Sequence, residues 1–444
     1  MSSKKQQELD TYGYPFAPDS QRKLRKKSIK TARSLLGKCI YIALSIIGGF
    51  LWLGRLGKKQ PPLAPATFHP KRILVIRLDL IGDLVLSLTV VRALKRTYPD
   101  AEIDLLATPA SAKVALHDPH LSEIIPYDPN IWRRPKALIQ IKNWREARKL
   151  AHRLRSRHYD LAVSVYANWA AVLAVLSGAR RRVGYGPEGY PGFMTDPVPG
   201  GIPGRWRHYA PLDDKHEVDY CLELAKAAGA TLTPEDRIPH LYVNEQSRRE
   251  VEQMLYDAGV QPGEPVIVCH VSSNNGQSKR WPIPYWATLI DRLVREEHAR
   301  IVLTGAPGDL PIIEGVMERT REQAINLAGK TSLTQLTALL QRSDLVISGD
   351  SGPMHMAVAV DAPLIAIHGP TNPSLGGPVS PGATILRSHI WCSPCYNAKD
   401  PADCRFYTTQ CMKNILPSAV FAVAREKLKA GRQLQNSGDL VAGQ

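Results

Sequence analysis

The stretch RILVIRLDLIGD, residues 72–83, decides how the chain folds. Its opening, Arg72 to Leu78, is an almost unbroken apolar run of strand length, the pattern of a strand buried on both faces. A Gly-Asp turn follows, and from Asp83 to about Tyr98 the apolar residues recur at helical spacing. Further along, AEIDLLAT (101–108) and YDLAVSV (159–165) read as strands, and the basic stretch between Pro135 and His158 as a surface helix. A second series begins near Pro265: PVIVCHVS (265–272), ARIVLTG (299–305), DLVISGD (344–350) and PLIAIHG (363–369). Strands alternating with helices mean a parallel sheet covered on both faces. Two such series predict an α/β protein with two Rossmann-like, doubly wound lobes and a central cleft.

The boundary is expected between Pro239 and Pro265, after a helix from Glu217 to Ala228. The organisation that follows is a basic tail, apolar helix (about 35–57) and Pro-rich linker over 1–70, lobes over 71–245 and 246–430, and a flexible tail over 431–444. No period of 20 to 50 residues marks a solenoid.

Composition narrows the function. With 444 residues, 44% of them hydrophobic, the chain can bury two ordinary cores. Frequent Pro and Gly suit short loops between strands and helices. The net charge of +16 is concentrated at one end: up to Arg72 there are 15 Lys and Arg against 3 acids, a balance of +12. The rest is nearly neutral, and no nucleic-acid-binding signature accompanies the charge, so nucleic acid is excluded as a partner. Basic residues beside an apolar run instead fit an anionic membrane surface. That run, Cys39 to Leu53 and extendable to Leu35, would span about 23 to 28 Å as a helix, short of the ~30 Å hydrocarbon core. Basic residues flank it on both sides, which favours a monotopic or interfacial anchor over a single span, and a cleaved signal least.

Chemistry is expected where strands end, because open α/β sheets bind ligands beyond their carboxyl ends. After the first strand the loop carries Asp79 and Asp83; Asp83 reads either as a helix cap or as a general base. After DLVISGD come Asp350, Ser351, Gly352, Pro353 and His355, with Pro353 suited to a helix start whose free N–H groups form an anion site. Asp350 fits sugar hydroxyls better than phosphate, and His355 alternatively packs in its helix. After PVIVCHVS, the Ser272 and Ser273 hydroxyls and Lys279 offer donors and a point charge to phosphate oxygens. GYGPEG (184–189) matches a dinucleotide fingerprint formally but is followed by Tyr-Pro-Gly, so it reads as a turn. GKT (329–331) lacks the earlier Walker glycine, and no D-x-D pair or H-E-x-x-H signals a metal.

These segments resemble glycosyltransferase family 9, the ADP-heptose:lipopolysaccharide heptosyltransferases. The likeness lies in ILVIRLDLIGDLVLSL, HVSS followed by SKRWP, VLTGAPGD, NLAGKTSLTQL, ISGDSGPMHMAVAVDAPLIAIHGPTNP and CMKNILPSAV, between about Arg72 and Val423. It implies a GT-B fold and an inverting, metal-independent transfer of a heptose or similar sugar from an ADP-sugar to a lipopolysaccharide-core or other lipid-linked saccharide. It also implies Asp83 as general base, Ser272, Ser273 and Lys279 at the diphosphate, Asp350 at the heptose hydroxyls, and Ser351, Gly352 and His355 completing the donor motif. No cofactor is implied. The chain departs from the family at SLTVV (87–91), where Leu-Pro is usual, and in a Ser272–Lys279 loop about two residues longer.

Rival readings are a nucleotide-sugar epimerase-like enzyme on the same fold and a catalytically silent membrane scaffold. Cys392, Cys395, Cys404 and Cys411 are open to zinc, to disulfides or to free thiols. The location implied is the cytoplasmic face of the inner membrane.

Overall fold

The computed structural model describes residues 67–133, 137, 139–165, 167–186, 190, 192–200, 215–273, 276–396, 404, 406 and 408–442, with single positions between 42 and 53. The expected basic tail, and the Pro-rich linker as far as residue 66, lie outside the described residues. Two compact units emerge, and the chain passes from one to the other between Pro239 and His240.

In the first unit six parallel strands lie in the order β3-β2-β1-β4-β5-β6. They are β1 (Arg72–Arg77), β2 (Glu102–Ala107), β3 (Glu123–Pro126), β4 (Leu161–Ser164), β5 (Arg181–Tyr185) and β6 (Asp196–Val198). Helices α1 (Ile81–Thr97), α2 (Ile141–Ser156), α3 (Ala167–Leu176) and α4 (Glu217–Ala227) cover them. β1 is central because every inner residue of it is apolar: Ile73, Leu74, Val75 and Ile76 are wholly buried. Each such side chain contributes roughly 1.5 to 3 kcal/mol by leaving water. The Asp160 carboxylate accepts from the Lys71 and Arg72 amides at 2.8 and 3.2 Å, fixing where β1 starts relative to β4.

The second unit repeats the plan. Its strands are β7 (Val266–His270), β8 (Arg300–Thr304), β9 (Ile325–Asn326), β10 (Leu345–Gly349), β11 (Leu364–His368) and β12 (Ala383–Arg387), parallel and ordered β12-β11-β10-β7-β8-β9. Counted from the first strand of each unit, both sheets have the 3-2-1-4-5-6 order of doubly wound folds, so each has a switch point between its first and fourth strands. Helices α5 (Glu245–Asp257), α6 (Ile283–Glu297), α7 (Leu310–Met317), α8 (Leu333–Arg342), α9 (Gly352–Ala359) and α10 (Pro417–Ala442) complete it. α8 starts where it does because Ser332 and Gln335 form a reciprocal capping box.

Three differences from the sequence reading have physical causes. The expected flexible tail over 431–444 is helical to Ala442, as a continuation of α10. That helix buries Val420, Phe421, Ala424 and Leu428 in the second core, and Arg425 meets Glu297 at 2.6 Å. The GYGPEG turn begins inside a strand: Gly184 and Tyr185 end β5, and a Cβ at Gly184 would stand 2.8 Å from the Met194 sulfur. This glycine serves close packing; residues 187–189 lie outside the described residues. Finally, α1 begins at Ile81 with Leu80 as its cap position, so Asp83 stands in the first turn rather than at the cap.

Among the described residues no helix is long and apolar enough to cross a membrane. Of the apolar run, Ile42, Leu44, Ile46, Ile47, Phe50 and Leu53 are described and helical, and Leu44 packs against the first core.

Candidate functional site

The chemistry-bearing residues gather at two crests, one per sheet. At the first, β1 ends in Arg77, a wholly buried guanidinium with three carboxylates around it: Glu217 at 3.1 Å, Asp83 at 3.4 Å and Asp79 at 3.5 Å. Burial alone would lower its pKa, but Glu217, Asp83 and Asp79 together outweigh burial and raise it, so the group stays charged. Each carboxylate is positioned by a different device. Asp79 accepts from the Leu80 amide at 3.0 Å, while Glu217 opens α4, whose cap residue His216 accepts from the Val218 amide. Asp83 sits in the first turn of α1, and the Ser87 hydroxyl donates to its carbonyl at 2.7 Å. Its side chain is 32% exposed, against 13% for Glu217, so of the two it is the one open to an incoming group.

At the second crest Lys279 and Asp350 form an ion pair of 3.0 Å with both side chains largely buried. Lys279 also lies 4.3 Å above the Tyr396 ring. Burial would raise the Asp350 pKa, yet Lys279, with His368 and His355 nearby, holds the carboxyl well below the usual range. Ser273 donates to the Asp350 carbonyl at 3.4 Å. The buried Ser272 hydroxyl has no hydrogen-bond partner among the described residues, which leaves a donor available for a ligand oxygen. Ser351 occupies the cap position of α9 and Gly352 its first residue; the Ser351 hydroxyl turns to Ser348 at 3.0 Å rather than capping, so the helix-start amides remain for an anion. His355 is buried in α9.

The eight residues singled out in the sequence therefore divide one to seven: Asp83 belongs to the first unit and Ser272, Ser273, Lys279, Asp350, Ser351, Gly352 and His355 to the second. Sequence reasoning missed Arg77 and Glu217, which meet across 140 residues, and the Tyr396 ring. It also missed His368, which ends β11, is buried, and shares its Nδ1 with the Thr371 hydroxyl at 3.2 Å. Its signal was available, because His368 ends the apolar run of PLIAIHG, one residue before its glycine, much as Asp350 follows the run of DLVISGD.

No disulfide joins Cys392, Cys395, Cys404 and Cys411 to one another. Burial pushes Cys411 up to about 12, with Cys395, Cys404 and Cys392 adding to the rise. Among the described residues no group of three or more His, Cys, Asp or Glu is arranged to hold a metal ion.

The family model of glycosyltransferase family 9 (heptosyltransferase) matches residues 147–405. Lipopolysaccharide heptosyltransferase 2 of Salmonella typhimurium is 28% identical over 322 residues, covering 71% of this chain and 88% of the relative. The structure of the E. coli ADP-heptose LPS heptosyltransferase II is similar at a TM-score of 0.64 and 25% identity, over 81% of this chain and 99% of that one. A glycosyl transferase family 9 structure from Veillonella parvula shares the fold at a TM-score of 0.61 and 24% identity, over 71% and 85%. The matched segment spans more than half of the sequence and takes in the whole second crest, and the chain is a transferase that belongs to glycosyltransferase family 9.

Proposed function

We propose that the protein transfers a heptose, or a closely similar sugar, from an ADP-sugar to a lipopolysaccharide-core or other lipid-linked saccharide, with inversion and without a metal. Asp83 takes the proton from the acceptor hydroxyl as that oxygen bonds to the anomeric carbon and the bond to the diphosphate breaks. Negative charge then grows on the departing ADP. Lys279, the Ser272 hydroxyl and the α9 amides supply positive potential there, the role a divalent ion plays in other transferases. Asp350, fixed in its charged form, accepts from sugar hydroxyls. The names of the Salmonella and E. coli relatives support the donor and acceptor classes. The setting is the cytoplasmic face of the inner membrane, with the N-terminal segment as a peripheral or monotopic anchor.

The observation that carries this reading is the Asp83 carboxylate, partly exposed at a strand end and oriented by a buried cation. Asp83→Asn is expected to lower turnover at least ~100-fold while ADP-sugar affinity stays within about twofold. Rapid-quench turnover together with calorimetric donor binding separates the two. Near-normal turnover in a folded variant removes Asp83 from the mechanism.

A further inference from the structure

The helix α2 carries a surface that the transfer chemistry does not use. Its inward face is set by Leu154 and Leu150, which pack into the first core. Outward it presents Ile141 and Trp144, 68% and 55% exposed, the Trp144 ring resting with one side against Trp132 at 4.9 Å, and just before it Ile139 is 81% exposed. Exposed apolar residues at a helix start, interleaved with cations, are unusual for a face that meets only water.

Apart from Lys149, which pairs with Glu146 at 3.0 Å on the surface of the helix, the cations of α2 and Arg157 just beyond it fall into two groups. Arg153 pairs with Glu123, Arg155 donates to the Leu176 carbonyl and Arg157 binds Asp104, so these serve the fold. Lys142, Arg145 and Arg148 are exposed and have no acidic partner among the described residues. They stand beside Ile141 and Trp144 on the outward side, which leaves that face both apolar and uncompensated in charge.

A second observation points the same way. Leu44, from the apolar N-terminal run, packs against the same cluster that holds Leu150 and Leu154, whereas Ile42, Ile46, Ile47, Phe50 and Leu53 of that run stay at least half exposed. The run and α2 therefore dock on one core, and both leave apolar side chains in the open.

We propose that the outward face of α2 rests on an anionic bilayer, with Ile139, Ile141 and Trp144 entering the headgroup boundary and Lys142, Arg145 and Arg148 meeting lipid phosphates. Tryptophan favours that depth, and cations beside a shallow apolar wedge match an anionic leaflet. The topology gives the contact a use. In a parallel sheet the returning helices start at the edge where strands end, so α1, with Asp83, and α2 both begin at that edge. The ends of β1 and β3 are two strand spacings apart, roughly 10 Å. A lipid-linked saccharide would then be presented to the base from the surface that holds the enzyme. The inference rests on the membrane setting proposed above but not on the identity of the sugar.

The test uses the full chain and vesicles with one third anionic lipid carrying bromine on the acyl chains. The part of the tryptophan emission lost in Trp144→Phe is expected to be quenched. Charge reversal, Arg145→Glu with Arg148→Glu, should weaken the lipid dependence of that quenching at least ~25-fold, about fivefold per cation. ADP-sugar binding should not change, which shows that the variants fold. Unquenched Trp144 emission in protein that still sediments with vesicles overturns the proposal, because the N-terminal run alone would then be the anchor. Quenching that ignores charge reversal overturns it too. So does lipid-free self-association that is lost in Ile139→Ser with Ile141→Ser, since the face would then meet a second copy.

Discussion

The first strand of each sheet ends in a buried basic side chain, and the two ends are built in opposite ways. β1 ends in Arg77, kept charged by three carboxylates. β7 ends in His270, whose pKa is pushed down to about 4 by burial, with Asp309 and the Thr304 backbone opposing, so at neutral pH it carries no charge. The same strand order thus produces two different electrostatic crests. The first is acidic on balance, one cation among three anions, and suits proton acceptance. The second has a neutral floor, a matched Lys279–Asp350 pair and helix-start amides, which suits a diphosphate with hydroxyls attached. The difference teaches that strand order places a site while the residues closing the first strand choose its charge.

Removing Arg77 is the severest way to break this contrast. Arg77→Met leaves three carboxylates facing one another around an apolar stem, and denaturant titration is expected to show a loss of roughly 3 to 5 kcal/mol. A loss under 1 kcal/mol would mean that the carboxylates are already solvated. The neutral end is probed by pH. His270 binds a proton near its ordinary value of 6.5 when unfolded but only near 4 when folded, so its contribution is full above pH 6.5 and falls as the pH drops towards 4. The decline should approach about 1.4 kcal/mol per pH unit in that window and flatten in His270→Gln; equal slopes would show that the imidazole is not held neutral.

Smaller effects sharpen the second crest. Lys279→Ala should weaken ADP-sugar binding by ~1.5 to 3 kcal/mol by calorimetry, the range for a charge-assisted contact. Ser272→Ala should cost about 0.5 to 1.5 kcal/mol of donor affinity with no loss of stability, since its hydroxyl serves no described partner. A destabilised Ser272→Ala protein would assign that hydroxyl to the fold.

The central strands were legible because burial on both faces writes itself as a continuous apolar run: β1, β7, β10 and β11 all appear so. The edge strands were not. β9 is only Ile325–Asn326, and no residue of β12 is fully buried, so neither gives a run or a clean alternation. Helix starts at Pro282 and Pro353 were readable from proline's fixed φ. The segments with Asp83, Lys279 and Asp350 were readable because they follow buried strands. Their partners were not: Arg77 meets Glu217, and Lys279 meets Tyr396, only through tertiary folding. Asp83 also illustrates a limit of local rules, since Asp is a favoured cap and here stands three residues beyond the cap position.

Trp281, two residues after Lys279, is buried between Trp286 and Tyr285 and donates its indole N–H to the Ile415 carbonyl at 2.8 Å. The backbone that carries Lys279 is consequently held by a stretch of chain 134 residues beyond Trp281. Variation around Met412 or Ile415 would surface as altered substrate affinity in an enzyme whose every ligand-touching side chain is unchanged, and a survey confined to those side chains would overlook it.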